Sequence, residues 1–326
     1  MRRYLAVVSF AAFLVLPGGV NLFLPTLAAN GAASTGRPQV PQGSLRVQVN
    51  LVNVPVSVVD RRGQPVTGLH RDDFLLTEDG HPETIRLFEV NAAWPLSIVL
   101  AIDTSVSARA DLPLAKQAAY EFAHSVLRRE DQVELLGFAG EVTEVVPFTG
   151  NLRALDHGLR SLHGNGPTAL YAAIAQAASD LGQYSGRKVI VAISDGSNSV
   201  PGVDYKQARA AALRAQASIE SIILVPIKAN AGRDLGGEHA LIQLSRDTGG
   251  QYFYADAADP LQDAVTQLSL ALRSEYLLGY YPAQAVATGE EADGFRKIQL
   301  RLTNPAMGRA YRLQYRTGYY AGGIMR

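Results

Sequence analysis

The stretch PLSIVLAIDTSVS, Pro95 to Ser107, decides how the rest of the chain is read. Leu96 to Ile102 is an almost unbroken apolar run of strand length, and it stops at Asp103, Ser105 and Ser107, three oxygen-bearing side chains at alternate positions. A strand buried on both faces reads as a continuous apolar run, and ligands of open α/β sheets sit just past the strands' carboxyl ends. The polar triplet falls where such a site belongs. Oxygen-only ligands of mixed charge suit a hard cation such as Mg2+ rather than zinc or copper. The same residues also read as a Ser/Thr/Asp cap on the next helix, so the triplet alone leaves both readings open.

Downstream, helices and apolar strands alternate. Asp111 stands as a cap before DLPLAKQAAYEFAHSVL, whose Leu114, Ala118, Phe122 and Val126 recur at helical spacing. The pattern predicts strands at Gln132 to Ala139, Val142 to Phe148 (antiparallel to the one before it), Lys188 to Ile193, Ser221 to Ile227 and Gln251 to Tyr254. Helices are expected over Asn151 to Leu162, Thr168 to Leu181, Tyr205 to Ile219, Glu238 to Asp247 and Pro260 to Leu272. Strands alternating with helices of this length predict an α/β fold: a doubly wound, mainly parallel, Rossmann-like sheet over residues 94–274.

Strand patterns flank this core. Residues 45–91 carry alternating valines (Val47, Val49, then Val54, Val56) with a change of phase at 51/52. Pro55 argues for an edge position, and a tight turn at Glu78 to His81 leads into a returning strand over Thr84 to Val90. Residues 275–320 supply Glu275 to Tyr281, Arg296 to Thr303 and Arg309 to Thr317, with Glu290, Glu291 and Asp293 in a loop. Each flank is too small to bury a core alone, so together they are expected to form one β domain with the α/β domain inserted between them. Leu87, Ile298, Leu300 and Leu313 join the four valines as its expected interior.

The amino terminus has Arg2 and Arg3 before an apolar stretch from Leu5 to Leu16, then Pro17 and small residues around Ala28 and Ala29, the order of parts in a secretory signal. Residues 1–29 are read as a signal peptide or, uncleaved, a membrane anchor, and 30–44 as a Gly/Ala/Ser/Pro tether. The expected location is secreted, periplasmic or cell envelope, with a membrane involved only through that anchor. Lys and Arg total 30 against 30 for Asp and Glu, without a run of like charge, so no footprint for nucleic acid exists. The chain has no cysteine, which removes thiolate metal sites and thiol catalysis and leaves any metal to oxygen or imidazole.

Two further segments join the triplet: Thr168 in GNGPT, and Asp195 in SDG at the end of another apolar strand. A doubly wound sheet brings strand ends to one edge. The DxSxS triplet, a distant threonine and a later Asp-Gly resemble the von Willebrand factor type A (VWA) family and its metal-ion-dependent adhesion site (MIDAS), over about residues 94–274. Thr248-Gly249-Gly250-Gln251-Tyr252-Phe253 is similar to the family's late strand. The flanks PVTGLHRDDFLLTEDGHPETIRLFEV and SEYLLGYYPA resemble the secreted bacterial VWFA-related (acidobacterial) group. The resemblance implies that Ser105, Ser107 and Thr168 bind a cation directly, while Asp103 and Asp195 act through water. The implied cation is Mg2+, with Mn2+ or Ca2+ as substitutes. A cation held mostly by neutral oxygens keeps charge to spare and accepts an Asp or Glu from a protein partner. Pro167, immediately before Thr168, departs from the pattern and fixes the loop.

Other motifs weigh less. Gly164 to Ala169 fits G-x-G-x-x-A but follows a helix rather than a first strand, and GQYSGRK lacks the Lys-Ser/Thr ending of a phosphate loop. No G-x-S-x-G or H-E-x-x-H occurs, and the six histidines are scattered. The sequence therefore points to a non-enzymatic, metal-dependent adhesion or interaction module. A scaffold subunit of an envelope assembly and an unrecognised hydrolase are the alternatives.

Overall fold

Alternating valines open the described part of the chain. The computed structural model describes residues 51–90, 94–224, 234–255, 258–283 and 294–321. β1 (Val52–Val59) turns Val52, Val54, Val56 and Val58 into one buried cluster. β2 (Phe74–Glu78) and β3 (His81–Glu83) are joined across Asp79 (φ 48°) and Gly80 (φ 85°), the paired positive φ that an Asp-Gly hairpin turn requires. β4 (Ile85–Val90) follows.

The α/β core comprises β5 (Leu96–Asp103), α1 (Leu112–Val126), β6 (Gln132–Phe138), β7 (Val142–Thr149), α2 (Leu152–Ser161), α3 (Leu170–Leu181), β8 (Arg187–Ser194), α4 (Tyr205–Ala215), β9 (Ala217–Leu224), α5 (Leu235–Thr248), β10 (Tyr252–Ala255) and α6 (Ala258–Arg273). The six strands lie in the order β10-β9-β8-β5-β6-β7, all neighbours parallel except β6 and β7. Every residue of β5 is buried, as a central strand covered on both faces must be. Side chains from α1, α2 and α6 fill one face of the sheet, and those from α3, α4 and α5 the other. This is the α/β, doubly wound, mainly parallel fold that the alternation of strands and helices predicts.

The chain then returns to strands: β11 (Tyr276–Tyr280), β12 (Phe295–Leu302), a short α7 (Pro305–Ala310), β13 (Arg312–Gln314) and β14 (Gly318–Tyr320). Two four-stranded sheets result, β13-β1-β11-β4 and β14-β12-β2-β3, and each mixes strands from before and after the α/β core. Val90 of β4 lies opposite Tyr276 of β11, so the chain leaves and re-enters this β unit at neighbouring positions. Its interior contains Phe74, Leu76, Ile85, Leu278 and Ile298 around Tyr276. The Tyr276 hydroxyl donates to Val66 O (2.9 Å) and accepts from Leu69 N (3.1 Å), which satisfies the buried phenol. The described residues all belong to one compact unit.

Several local expectations change. The strand at 84–90 does not return along β2, which has only β3 as a hairpin partner; β4 crosses to the other sheet beside β11. Pro55 lies in a strand with two neighbours, yet β13 covers only Ser57 to Val59, so the proline faces no partner on that side. The helix expected to Ile219 stops at Ala215 because Gln216 is left-handed (φ 58°), and β9 begins at Ala217 rather than Ser221. The strand expected over 309–317 shrinks to β13: Arg309 and Ala310 close α7, and β14 begins only at Gly318, in a different sheet. Asp111 precedes α1 but its side chain caps nothing, because a single turn at Ser107–Ala110 runs straight into the helix. Leu87 is half-buried, and Ile85 and Phe88 join the β core instead. Val47, Val49, Glu290, Glu291 and Asp293, and the amino-terminal segments, lie outside the described residues.

Candidate functional site

In the order β10-β9-β8-β5-β6-β7 the connections reverse between β5 and β8, which makes that gap the sheet's switch point and its carboxyl edge the natural crevice. Asp103 ends β5 and Ser194 ends β8, and the Ser194 hydroxyl donates to Asp103 Oδ2 at 2.7 Å across the gap. The other carboxylate oxygen, Oδ1, accepts from Ser105 N at 2.9 Å. Both oxygens of a fully buried carboxylate are thus fixed, and the tight turn they enforce presents Ser105 and Ser107 together, with their Oγ atoms 3.0 Å apart.

The second segment is tied to the first and third by its backbone. Val106 N donates to Gly166 O (3.1 Å), while Thr168 N donates to Ser199 Oγ (2.9 Å) and Thr168 O accepts from Ser199 N and Val200 N. Thr168 is no helix cap: Ala169 occupies that position and α3 begins at Leu170. Asp195 holds its own loop, its Oδ1 accepting from Ser197 N at 2.9 Å. Gly196 lets that loop approach α5 closely, since a Cβ there would stand 2.5 Å from the Gly237 carbonyl carbon, and its φ of 90° suits glycine.

The structure therefore brings Asp103, Ser105, Ser107, Thr168 and Asp195 to one edge. A cleft of about 380 Å3 opens there, walled by Ser107, Pro167, Thr168, Asn198, Ser199 and Asp234 among others. Asp103 and Ser105 are fully buried and form no part of its wall. Sequence reasoning missed Ser194 and Ser199, which hold Asp103 and Thr168; the only signal was their place in the polar run SDGSNS after an apolar strand.

Burial pushes the Asp103 carboxyl up to about 6, against the opposing effect of its hydrogen bonds from Ser105 and Ser194, and the neighbouring Asp195 charge adds to the rise. Asp111 is raised too, by burial and by Asp195. Three carboxylates thus share one neighbourhood in which a cation would offset their repulsion. Among the described residues no group of three or more His, Cys, Asp or Glu side chains has the geometry to hold a metal. Any cation here would depend on hydroxyls. The Ser105 and Ser107 oxygens meet one condition for that: adjacent ligands of an octahedron with bonds of 2.0–2.1 Å lie about 2.9 Å apart, close to the 3.0 Å seen. The residue types, neutral and anionic oxygens without imidazole, fit Mg2+ and its hard relatives.

No helix among the described residues is long and apolar enough to cross a membrane. No curated protein sequence matches the chain. Similar solved structures include BatB from Bacteroides thetaiotaomicron (22% identity, 55% of this chain and 100% of that one, TM-score 0.45). The vWF domain of the type V pilus tip protein Mfa5 from Porphyromonas gingivalis is another (13% identity, 55% and 95%, TM-score 0.47). A von Willebrand factor type A protein from Catenulispora acidiphila covers more of the chain (12% identity, 83% and 74%, TM-score 0.49). Residues 98–198, which run from β5 through Asp195, match the family model of the von Willebrand factor type A domain. Within its α/β core the chain thus carries a segment similar to von Willebrand factor type A domains.

Proposed function

We propose that this protein is an exported interaction module that holds Mg2+ at the β5/β8 switch point and uses it to capture an Asp or Glu side chain of a protein partner. The observation that carries this reading is the pair of serine hydroxyls, Ser105 and Ser107, 3.0 Å apart beside a carboxylate already fixed by Ser194. Ser105, Ser107 and Thr168 would hold the cation, and Asp103 and Asp195 would orient its waters. A bound divalent cation supplies an electrophilic centre with charge left over, because its nearest protein ligands are neutral. The chain's own part is to keep that position rigid. Ser194 fixes Asp103, Asp103 fixes the turn at Ser105, and Ser199 fixes the backbone of Thr168. The cleft beside Ser107 and Thr168 gives a partner's side chain a way in. Export rests on the charged, then apolar, then small-residue order of residues 1–29.

The test is capture of envelope proteins on the immobilised full chain with Mg2+ and with EDTA. Captured proteins should be released by EDTA and by free acetate, and lost with Asp103→Ala. Capture that survives both EDTA and Asp103→Ala would end the bridging model.

A further inference from the structure

A second cavity, of about 360 Å3, lies at the other end of the parallel strands, where the α/β core meets the β unit. It is lined by the first residues of β5 and β8 (Leu96, Arg187, Lys188) and by Asn53, Pro55, Leu277 and Arg316 from the β unit. Its volume is that of a small-molecule site. Its charges are not balanced. Arg187 is neutralised by Glu275, its Nε and Nη2 donating to the two carboxylate oxygens at 2.8 and 2.9 Å. Arg316 and Lys188 have no such partner among the described residues. Arg316 is 5% exposed, donates from Nη2 to Asn53 O at 2.6 Å, and leaves its Nε without an acceptor. Burial and the Arg187 charge push its guanidinium down to about 10, while Tyr280 and Tyr319 oppose the shift. Lys188 is lowered by burial alone, with no carboxylate working against it. Asn53 Oδ1, on the same wall, also lacks a donor.

Two buried or half-buried cations in one cavity are costly unless an anion joins them. Water can satisfy a hydrogen bond at Arg316 Nε but offsets no charge. Trp94, Leu96, Leu272 and Leu277 give the wall an apolar part, beside the polar Ser185, Gln216 and Thr248. We infer that this cavity binds a small amphipathic carboxylate, its anionic group on Arg316 and Lys188 and its apolar body against Trp94, Leu272 and Leu277. This site is separate from the β5/β8 edge and stands or falls independently of metal binding there.

Trp94 is the chain's single tryptophan and lines the cavity, so its emission reports occupancy directly. The full chain is titrated with hexanoate, with hexanamide as the neutral isostere and with sulfate as the anion lacking an apolar body. Hexanoate should change Trp94 emission saturably and unaffected by EDTA, with hexanamide and sulfate each at least about tenfold weaker, as loss of a charge-assisted hydrogen bond implies. Arg316→Gln and Lys188→Met should each weaken hexanoate by about the same factor. Lys188 is only half-buried, so its variant keeps the test alive if Arg316→Gln does not fold. No saturable response at tens of millimolar hexanoate would overturn the site, and so would an equal response to hexanamide. Sulfate binding as tightly as hexanoate would overturn the amphipathic assignment.

Discussion

Replacing Arg187 with methionine keeps the aliphatic volume of the side chain and removes the charge that faces Glu275. In the folded protein the two side chains are 9% and 13% exposed and joined by two parallel hydrogen bonds of 2.8 and 2.9 Å. The pair links the start of β8 to the residue before β11, so it ties the α/β core to the strand by which the chain re-enters the β unit. Removing one partner of a buried pair leaves the other charge desolvated and costs about 3–5 kcal/mol. Water in the adjoining cavity can reach the orphaned Glu275, so the lower end of that range, about 3 kcal/mol, is expected for Arg187→Met. Glu275→Gln retains an acceptor but leaves the buried Arg187 charge uncompensated, and should likewise cost about 3 kcal/mol. The double variant leaves no buried charge and should cost less than the sum of the singles by about 2 kcal/mol. Urea unfolding at pH 7, followed by Trp94 fluorescence, measures all four proteins, and a shared slope secures the comparison. Additive single costs, or an Arg187→Met cost below about 1 kcal/mol, would refute the view that the pair acts as a buried unit.

Three further predictions follow from buried groups elsewhere. Glu134 is 1% exposed with its Oε2 unpartnered, and burial, then the Asp180 and Glu144 charges, push its carboxyl up to about 8. A carboxyl raised on folding favours the native state at low pH, and this contribution is lost as pH rises from its unfolded value near 4.5 through about 8. Glu134→Gln should therefore gain stability over the parent between pH 5 and pH 9, by up to about 4 kcal/mol, and an equal difference at both pH values in urea unfolding would contradict this. Tyr280 and Tyr319 both donate to Glu78 Oε2, at 2.6 and 2.9 Å; Tyr280→Phe should cost about 1.5–3 kcal/mol in the same assay, and a neutral result would count against the network. Gly196→Ala should lower the melting temperature and abolish any response to Mg2+, because its Cβ would drive the Asp195 loop off Gly237; a variant that melts and responds like the parent would contradict this.

The fold class was legible because its signal is periodic. Leu96 to Ile102 and Lys188 to Ile193 are apolar on both faces, and helices of ordinary length separate such runs. What the sequence hid depends on single dihedral angles and on partners distant in the chain. Nothing before Gln216 announces that it will turn left-handed and end α4 four residues early. The strand expected over 309–317 failed because Asn304 caps Ala306 N and Pro305 starts a helix, a signature present in the sequence but outweighed by the alternation at Tyr311, Leu313 and Tyr315. That Asp103, Ser105, Ser107, Thr168 and Asp195 would meet at one sheet edge was readable from residue type and order together with the family resemblance. Ser194 and Ser199 were not, since a serine beside an aspartate looks like a turn until its partner across the sheet is known. Asp111 looked like a cap and instead adds its charge to the neighbourhood of Asp195.

The claim on which the functional reading depends is that Ser105 helps hold a divalent cation at the β5/β8 edge. Calorimetric titration of Mg2+ into chelator-treated full-length protein, in parallel with the Ser105→Ala variant, tests it most directly. The parent should bind one equivalent saturably, and at a hundredfold excess over the dissociation constant gain about 2.7 kcal/mol of stability. Ser105→Ala, folded like the parent by circular dichroism, should bind none in that range. A parent that takes up no Mg2+ at millimolar concentration, or a Ser105→Ala variant that binds it equally well, would contradict the account.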